Sequence, residues 1–260
     1  MGKIAFHLSY RGTNYHGWQR QNNAISIQEV IETAIYKTCG VKAALSGCGR
    51  TDAGVHAKNY IASVRLDTNI PLEKLPYALN ARLPEDIVIH RAWAVPEDFD
   101  ARFTCKCKEY SYYIHNRRTR DPFVTDRAYF YPVPLDVAAM QLGANAFVGR
   151  QDFAAVKSEG TPVRSTVRTI YYCKVEQLED GLIRIRVCAD GFLYNMVRAI
   201  AGTLLYCGNG KLDPRNIPAI LQSCDREQSG PTAPACGLYM TALTYGLEEI
   251  DEVTVRKQEE

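Results

Sequence analysis

The 260-residue sequence lacks several features that mark other classes of protein. No apolar run approaches the ~20 residues that a membrane-spanning helix needs, and the first residues, MGKIAFHLSYRG, contain no apolar core of a secretory signal. None of the nine cysteines forms a C-x-x-C pair, and the five histidines show no ligand spacing with cysteine or acid. We therefore expect a cytoplasmic protein with no membrane span and no bound metal, in which the cysteines are mostly reduced core residues.

The sequence also has little net charge, +2, but that charge is unevenly distributed. Residues 248–260 hold six acids and two basic residues, so residues 1–247 carry +6. Within them, residues 102–127 hold seven basic residues and three acids, interleaved with phenylalanine and tyrosine. Cations that follow phosphates, together with rings that stack on unpaired nucleobases, are typical of proteins that recognise single-stranded or looped RNA. A solvated basic hairpin explains the same pattern equally well.

The hydrophobic pattern of the first hundred residues predicts one β-α-β-β-α-β unit. Ser26 and Glu29 have the spacing of a capping box at the start of a helix that runs to Gly40. Pro71 introduces a second helix that runs to about Leu83. Alternating residues predict strands at 3–10, 41–48, 61–66 and 86–95. This order is typical of the ferredoxin-like arrangement.

The second half repeats this pattern with longer connections. Its predicted strands lie at 107–115, 128–131, 166–178, 182–189 and 238–245, and its predicted helices at 135–147, 193–207 and 213–223. We therefore predict an α+β fold of two ferredoxin-like, or RRM-like, halves joined through a mainly antiparallel sheet. The halves would be residues 1–100 and 101–247, followed by an acidic tail at 248–260.

The stretch GRTDAGVHA at residues 49–57 holds the most distinctive acid of the chain. Asp52 is the only carboxylate among residues 34–65, which also contain five lysines and arginines. We expect Asp52 to stay ionised, because nearby cations favour the charged form. In an extended backbone Arg50 points to the same side as Asp52 and can pair with it. The alternative is an Arg–Asp pair that only pins a surface loop. His56 is expected to hydrogen-bond this loop.

Several segments, in the same order, resemble the tRNA pseudouridine synthase A family. GRTDAGVHA is similar to the signature of that family, whose invariant acid falls on Asp52. The other segments are YRG at 10–12 with GWQ at 17–19, FDARF at 99–103, KEYSY at 108–112, FLYNMVR at 192–198 and PACGLY at 234–239. Two positions depart from the family pattern, Arg11 in place of aspartate and Gln151 in place of histidine. Neither touches the catalytic segment, so they bear on loop contacts.

The resemblance implies the pseudouridine synthase fold and a cofactor-free isomerase that converts uridine to pseudouridine at positions 38 to 40 of the tRNA anticodon stem-loop. It also implies a homodimer in which the tRNA contacts both subunits. Asp52 would be the catalytic carboxylate, which either attacks C1′ of the ribose or removes a C2′ proton. Arg50 would hold the flipped nucleotide or its phosphate, and Tyr110 would stack on the uracil. Arg198 would pair with Asp52, and Leu238 would form an apolar wall under the base.

Each substrate-binding residue also has an ordinary structural explanation. Tyr110 fits a sheet face and Leu238 fits a core position, while Arg198, opposite the apolar stripe of its helix, fits a solvated surface. Two other functions stay open. One is a non-catalytic RNA-binding protein of paired RRM-like halves, although residues 108–113 lack the RRM glycine. The other is a hydrolase with Asp52 as nucleophile, although no second acid, phosphate loop or metal set accompanies it.

Overall fold

The computed structural model of the protein describes residues 2–160 and 162–255. These residues form two compact units. The first unit contains residues 2–106 and 239–255, and the second contains residues 107–160 and 162–238. This division differs from the predicted boundaries at residues 100 and 247, because the last strand of the chain pairs with a strand of the first unit.

Strands and helices alternate along the chain. The strands are β1 (Gly2–Tyr10), β2 (Ser46–Gly47), β3 (His56–Leu66), β4 (Ile87–Val95), β5 (Cys107–His115), β6 (Tyr129–Phe130), β7 (Gly149–Asp152), β8 (Val167–Gln177), β9 (Leu182–Ala189) and β10 (Leu238–Thr244). The helices are α1 (Ile27–Cys39), α2 (Leu75–Asn80), α3 (Val137–Asn145), α4 (Met196–Gly208), α5 (Ile217–Ser223) and α6 (Glu248–Val255). Within the described ranges, none of these helices is long and apolar enough to cross a bilayer.

The sheet of the first unit has the strand order β4–β1–β3, with all neighbours antiparallel. Two short pairings share the other edge of β3. β2 runs antiparallel to β3, with Ser46 opposite Ser63, and β10 runs parallel to it, with Tyr239 opposite His56. The connectivity of the first six elements is β-α-β-β-α-β, so the ferredoxin-like arrangement predicted for this half is confirmed.

β2 is much shorter than the strand predicted at 41–48, so that prediction was wrong in length. The cause is competition from the side chains of α1. The Glu32 carboxylate accepts a hydrogen bond from Leu45 N (3.0 Å), and Gln28 Nε2 donates to Leu45 O (3.1 Å). Backbone groups that are already bonded to side chains are not available to a neighbouring strand. Pairing with β3 therefore begins only at Ser46.

The helix ends of the first unit have local causes. The Ser26 hydroxyl accepts from Glu29 N (3.3 Å) at the start of α1, and the helix stops at Gly40, which adopts φ 72°. These are the predicted positions. α2 covers less than the predicted 71–83. It ends at Asn80, whose side-chain amide exchanges two hydrogen bonds with the backbone of Ile89 (2.8 and 2.9 Å).

The sheet of the second unit has the order β5–β9–β8–β7, again antiparallel, and β6 pairs in parallel with β5. β5, α3, β8, β9 and α4 follow the ferredoxin-like sequence of elements. β7 was not predicted. α4 is buried along nearly its whole length, and only Arg198 and Tyr206 of its residues are partly exposed. The predicted α+β class with mainly antiparallel pairing is confirmed.

The acidic segment after residue 247 forms a helix at its start. The Asp251 carboxylate accepts hydrogen bonds from Tyr245 N (2.6 Å) and Gly246 N (2.7 Å), and the buried Thr254 hydroxyl donates to Leu243 O (2.6 Å). These contacts attach α6 to the strand before it. The rest of the predicted tail, residues 256–260, lies outside the described residues.

Candidate active site

Asp52 lies on a tight turn in the loop between β2 and β3. Val55 N donates to Asp52 O (3.1 Å), and Gly54 adopts φ 77° to close the turn. Gly54 N donates to Tyr15 O (3.2 Å) in the loop after β1. Thr51, the residue before the acid, is buried, whereas Asp52 is half-buried. The turn therefore fixes the backbone of the acid and leaves the residue partly accessible.

The loop at residues 11–25 lies directly against this turn. Trp18 N donates to Thr51 O (3.2 Å), and Tyr10 shares a hydrogen bond with the Thr51 hydroxyl (2.9 Å). Gly12 N donates to Nδ1 of the buried His56 (3.1 Å), so this bond of the histidine goes to the loop at residues 11–25, whereas a bond to the Asp52 loop was predicted. The two loops thus satisfy each other's backbone groups, as buried chain segments must.

Two glycines allow the backbones of these loops to approach so closely. A Cβ atom on Gly12 would lie 1.9 Å from Val55 O, and one on Gly17 would lie 2.2 Å from Thr51 O. Gly17 also adopts φ 83°, a conformation that side chains disfavour. Any larger residue at either position would push the loops apart.

Two buried aromatic rings, those of Trp18 and Tyr60, pack under the start of the same loop. Trp18 and Tyr60 are both buried and stack with ring centroids 4.2 Å apart and an interplanar angle of 27°. The Tyr60 hydroxyl donates to Gly49 O (2.5 Å). Tyr10 packs against both rings, and burial raises the pKa of its hydroxyl, which stays a neutral hydrogen-bonding group. The residues that lead into Asp52 therefore rest on a rigid apolar surface.

Arg50 is exposed, and in the part of the chain that the structure describes no ion pair joins it to Asp52. The predicted pairing needed an extended backbone, whereas the chain turns at Asp52. Another of the cations that flank Asp52 in sequence, Arg65, lies far along β3. Arg65 is nine residues beyond His56 in β3, about 30 Å along an extended strand, and it pairs with Glu97 (2.8 Å).

Tyr110 is located in the middle of β5, in the second unit, opposite Val187 of β9. It is largely buried, and its ring meets that of Phe192 edge to face, with centroids 5.1 Å apart. Phe192 belongs to the segment that leads into α4. This edge-to-face packing holds the ring plane of Tyr110.

Arg198 is half-buried on α4 and has a structural contact that the sequence did not predict. Its Nε donates to Ala233 O (2.7 Å), and its guanidinium also donates to Asn195 Oδ1 (2.7 Å). Ala233 N donates in return to Arg198 O (3.1 Å). Asn195, the residue before α4, adopts φ 59°. This side chain therefore connects α4 to the segment before β10, whereas the structural alternative for it was a solvated surface position.

Leu238 is buried and is the first residue of β10. Gly237, the residue before it, packs closely against the backbone of β5, since a Cβ atom on Gly237 would lie 2.7 Å from Tyr113 O. The buried Tyr112 also donates its hydroxyl hydrogen bond to Pro234 O (2.8 Å). The segment 234–238 is thereby fixed against β5.

Arg50 and Asp52 thus share one loop of the first unit, and Tyr110, Arg198 and Leu238 belong to the second. The sequence analysis gave no supporting role to Trp18, Tyr60 or Asn195, although Trp18 and Asn195 lie in segments that resemble the family, GWQ at 17–19 and FLYNMVR at 192–198.

The two positions that depart from the family pattern have local contacts. Arg11 is exposed, and its backbone N donates to Asp86 O (2.8 Å). Gln151 Nε2 donates to Ala146 O and Val148 O (3.0 Å each). Gln151 therefore closes the turn between α3 and β7.

Comparison with known proteins places these features in a family. The model of the family described as tRNA pseudouridine synthase matches residues 7–104 and 144–246. A protein of Ruminiclostridium cellulolyticum named tRNA pseudouridine synthase A is 47% identical over 245 residues, which cover 94% of this chain and 100% of that protein. Proteins of the same name from a Thermoanaerobacter species and from Caldicellulosiruptor bescii are each 44% identical with the same coverage.

Replacing Gly17 by alanine is expected to destabilise the protein more than replacing Gly40 by alanine. Both glycines have positive φ, 83° and 72°, so both variants carry the backbone cost of ~1–2 kcal/mol. Only Gly17 faces Thr51 O, whereas the Cβ position of Gly40 is open. Urea unfolding should show an extra loss of ~1–3 kcal/mol for Gly17→Ala. Equal losses would show that the loop contact contributes nothing.

Proposed function

The chain belongs to the tRNA pseudouridine synthase family, and we propose that it isomerises uridine to pseudouridine at positions 38 to 40 of the tRNA anticodon stem-loop, with Asp52 as the catalytic carboxylate. As a member of that family the protein is an isomerase that acts on tRNA. We further propose that it works in the cytoplasm as a homodimer and needs no cofactor.

The observation that carries the assignment of Asp52 is its place on a turn that a second loop holds by backbone hydrogen bonds. The reaction breaks the C1′–N1 glycosidic bond, turns the uracil and rejoins it to the ribose through C5. A single carboxylate can serve by adding to C1′ or by taking a proton from C2′. A hydrolytic glycosidase instead uses two carboxylates on either side of the bond, and Asp52 is the only one among residues 34–65.

In this proposal the second unit binds the substrate through three side chains. Tyr110 stacks on the uracil and takes part in removal of the C5 proton, and its contact with Phe192 supports a fixed ring plane. Arg198 contributes a guanidinium to anionic groups at the reacting nucleotide, and Leu238 contributes apolar surface. Arg50, exposed beside the acid, holds the phosphate or the space of the flipped nucleotide.

A non-catalytic RNA-binding protein is the main rival from another class. Incubating the protein with an unmodified tRNA transcript and mapping pseudouridine distinguishes the two. Conversion at positions 38 to 40 supports the proposal. Tight binding without conversion would favour the rival, and release of free uracil would favour a hydrolase.

Asp52→Asn is expected to abolish isomerisation and to leave tRNA affinity nearly unchanged, because it removes charge and almost no volume. Single-turnover rates and filter-binding constants measure the two effects. Asp98→Asn, at an exposed acid of the same unit, is the matched control and should behave as wild type. A rate within about tenfold of wild type, a barrier change of only ~1.4 kcal/mol, would exclude Asp52 as the essential group.

Tyr110→Phe should keep tRNA affinity and lower turnover, because the ring and its contact with Phe192 remain while the hydroxyl is lost. Tyr110→Ala should also weaken binding, by the ~1–3 kcal/mol typical of one nucleobase stacked on an aromatic ring. Tyr77→Phe, at an exposed tyrosine of α2, serves as control. If Tyr110→Phe turned over like wild type, the hydroxyl would have no part in proton removal.

Arg198→Lys should lower the rate of turnover strongly while it lowers the free energy of unfolding only slightly. An ammonium cannot reproduce the planar guanidinium, so the variant loses one of the bonds to Ala233 and Asn195, worth about 1 kcal/mol. Arg226→Lys is a matched control, since Arg226 binds Ser229, Gly230 and Thr232 of the same segment. Denaturant unfolding and single-turnover rates are compared. A large loss of stability with unchanged turnover would make Arg198 purely structural.

A further inference from the structure

A cavity of about 240 Å³ opens in the second unit beside the end of β5. Its walls include His115 and Phe130 of the paired strands β5 and β6, and Arg120, Asp121 and Asp126 of the loop between them. This volume is below the range of ~300–1,000 Å³ typical of pockets for drug-sized ligands, so the cavity suits a smaller group such as a single base.

The cavity combines aromatic and cationic surface. The Arg120 guanidinium lies over the Phe130 ring, 4.8 Å from its centroid, and the His115 ring lies 6.0 Å from the same centroid. Aromatic rings and guanidinium planes are the groups on which proteins stack unpaired nucleobases. One wall of the cavity is therefore suited to the flat face of a base.

Two carboxylates, those of Asp121 and Asp126, also line the cavity and can accept hydrogen bonds. Asp126 lines the cavity and adopts φ 60°, a conformation that few residues other than glycine and asparagine or aspartate adopt. Cys236 is its neighbour on the wall, where burial and then the charge of Asp126 raise the pKa of the thiol. The Asp121 carboxylate already accepts from Phe123 N (2.8 Å) within the loop. Among the described residues nothing donates a hydrogen bond to the Asp126 carboxylate, so we assign Asp126 as the acceptor for a ligand N–H group.

The loop around the cavity also has the surface of an RNA contact. Phe123 is 79% exposed, although it is a large apolar side chain. Arg118 and Arg120 are exposed, and among the described residues neither forms an ion pair. Arg117, in contrast, pairs with Asp180 (3.2 Å). Exposed cations beside an exposed ring fit a nucleic acid strand better than they fit bulk solvent.

We propose that this cavity binds one unpaired nucleobase of the tRNA substrate, a base with an exocyclic amino group such as cytosine, which stacks beside Phe130 and donates to Asp126. Aspartate accepts from the N4 amino group of cytosine, whereas uracil presents a carbonyl there. This inference rests on the proposed function, because it takes tRNA as the ligand.

The base in this cavity would be a different one from the uracil assigned to Tyr110. His115 is five residues beyond Tyr110 in β5, about 17 Å along the strand. Successive stacked bases of one strand rise by only ~3.4 Å. The cavity would therefore read a nucleotide several positions away from the target and help to set which part of the tRNA is presented.

Asp126→Asn distinguishes base recognition from simple electrostatics, because the two predict opposite changes in tRNA affinity. Removing a negative charge near RNA should strengthen binding if only electrostatics acts. If the Asp126 carboxylate accepts from an amino group, the same change replaces a charge-assisted hydrogen bond by a weaker neutral one and should weaken tRNA binding by about fivefold, or ~1 kcal/mol. The matched control is Asp180→Asn, since Asp180 is also an exposed aspartate of this unit with φ 56°, but does not line the cavity.

Filter binding of tRNA to the two variants and to the wild type measures this difference, with circular dichroism to verify folding. Competition by five-nucleotide oligocytidine and oligouridine tests the base itself: the wild type should prefer oligocytidine, and Asp126→Asn should lose the preference. Arg120→Ala should lower affinity for both oligonucleotides and is a second variant at an exposed position. Unchanged or tighter tRNA binding by Asp126→Asn, or no preference in the wild type, would overturn the inference.

Failure of this inference and failure of the proposed function give different results. If the wild type converts uridine in tRNA while Asp126→Asn binds as tightly as wild type, only the cavity assignment is lost. If the wild type binds tRNA with the expected dependence on Asp126 but forms no pseudouridine, the proposed catalytic role of Asp52 is lost and the cavity assignment stands.

Discussion

The close backbone contact between residues 11–25 and the turn at Asp52 is the constraint on which the candidate site of the first unit depends. Gly12 and Gly17 bring one backbone within van der Waals distance of Thr51 and Val55. Backbone groups at such a contact cannot be solvated, so each must find a partner in the facing loop. These bonds hold the backbone of Asp52 through main-chain geometry.

In the second unit, hydrogen bonds between α4 and the segment before β10 hold the Arg198 side chain. α4 is almost entirely buried, so the segment that leads from it to β10 must pass close to the helix. Arg198 and Ala233 exchange hydrogen bonds at that crossing, and the buried Thr203 accepts from Gly230 N (2.9 Å). The Arg198 guanidinium thus donates to Ala233 O and to Asn195 Oδ1, which makes it part of the packing of the second unit.

The sequence predicted most of the fold, because the strongest signals were local. Ser26 and Gly40 define α1 through their own cap geometry, and alternation defines β1, β3 and β5. The failures involve competition or distance. β2 shrinks because Gln28 and Glu32 take the backbone groups of Leu45. For the candidate site, the sequence predicted the residues that resemble the family motifs, but not the long-range packing of Trp18 on Tyr60 that supports them. No sequence pattern predicts that the chain turns at Asp52, so that within the described residues Arg50 forms no ion pair with this acid.

A lone carboxylate on a rigid turn also bears on which reaction the site can perform. Hydrolysis of a glycosidic bond must activate water, which is why a second carboxylate is placed across the bond from the first. An isomerisation returns the same base to the same ribose, so no water has to be activated and one carboxylate can serve both bond breaking and rejoining. What such a site must supply is a fixed position for the acid and little water around the reactive carbon. The backbone hydrogen bonds of the turn meet the first requirement for the backbone of Asp52, and the stacked Trp18 and Tyr60 rings support the residues that lead into it.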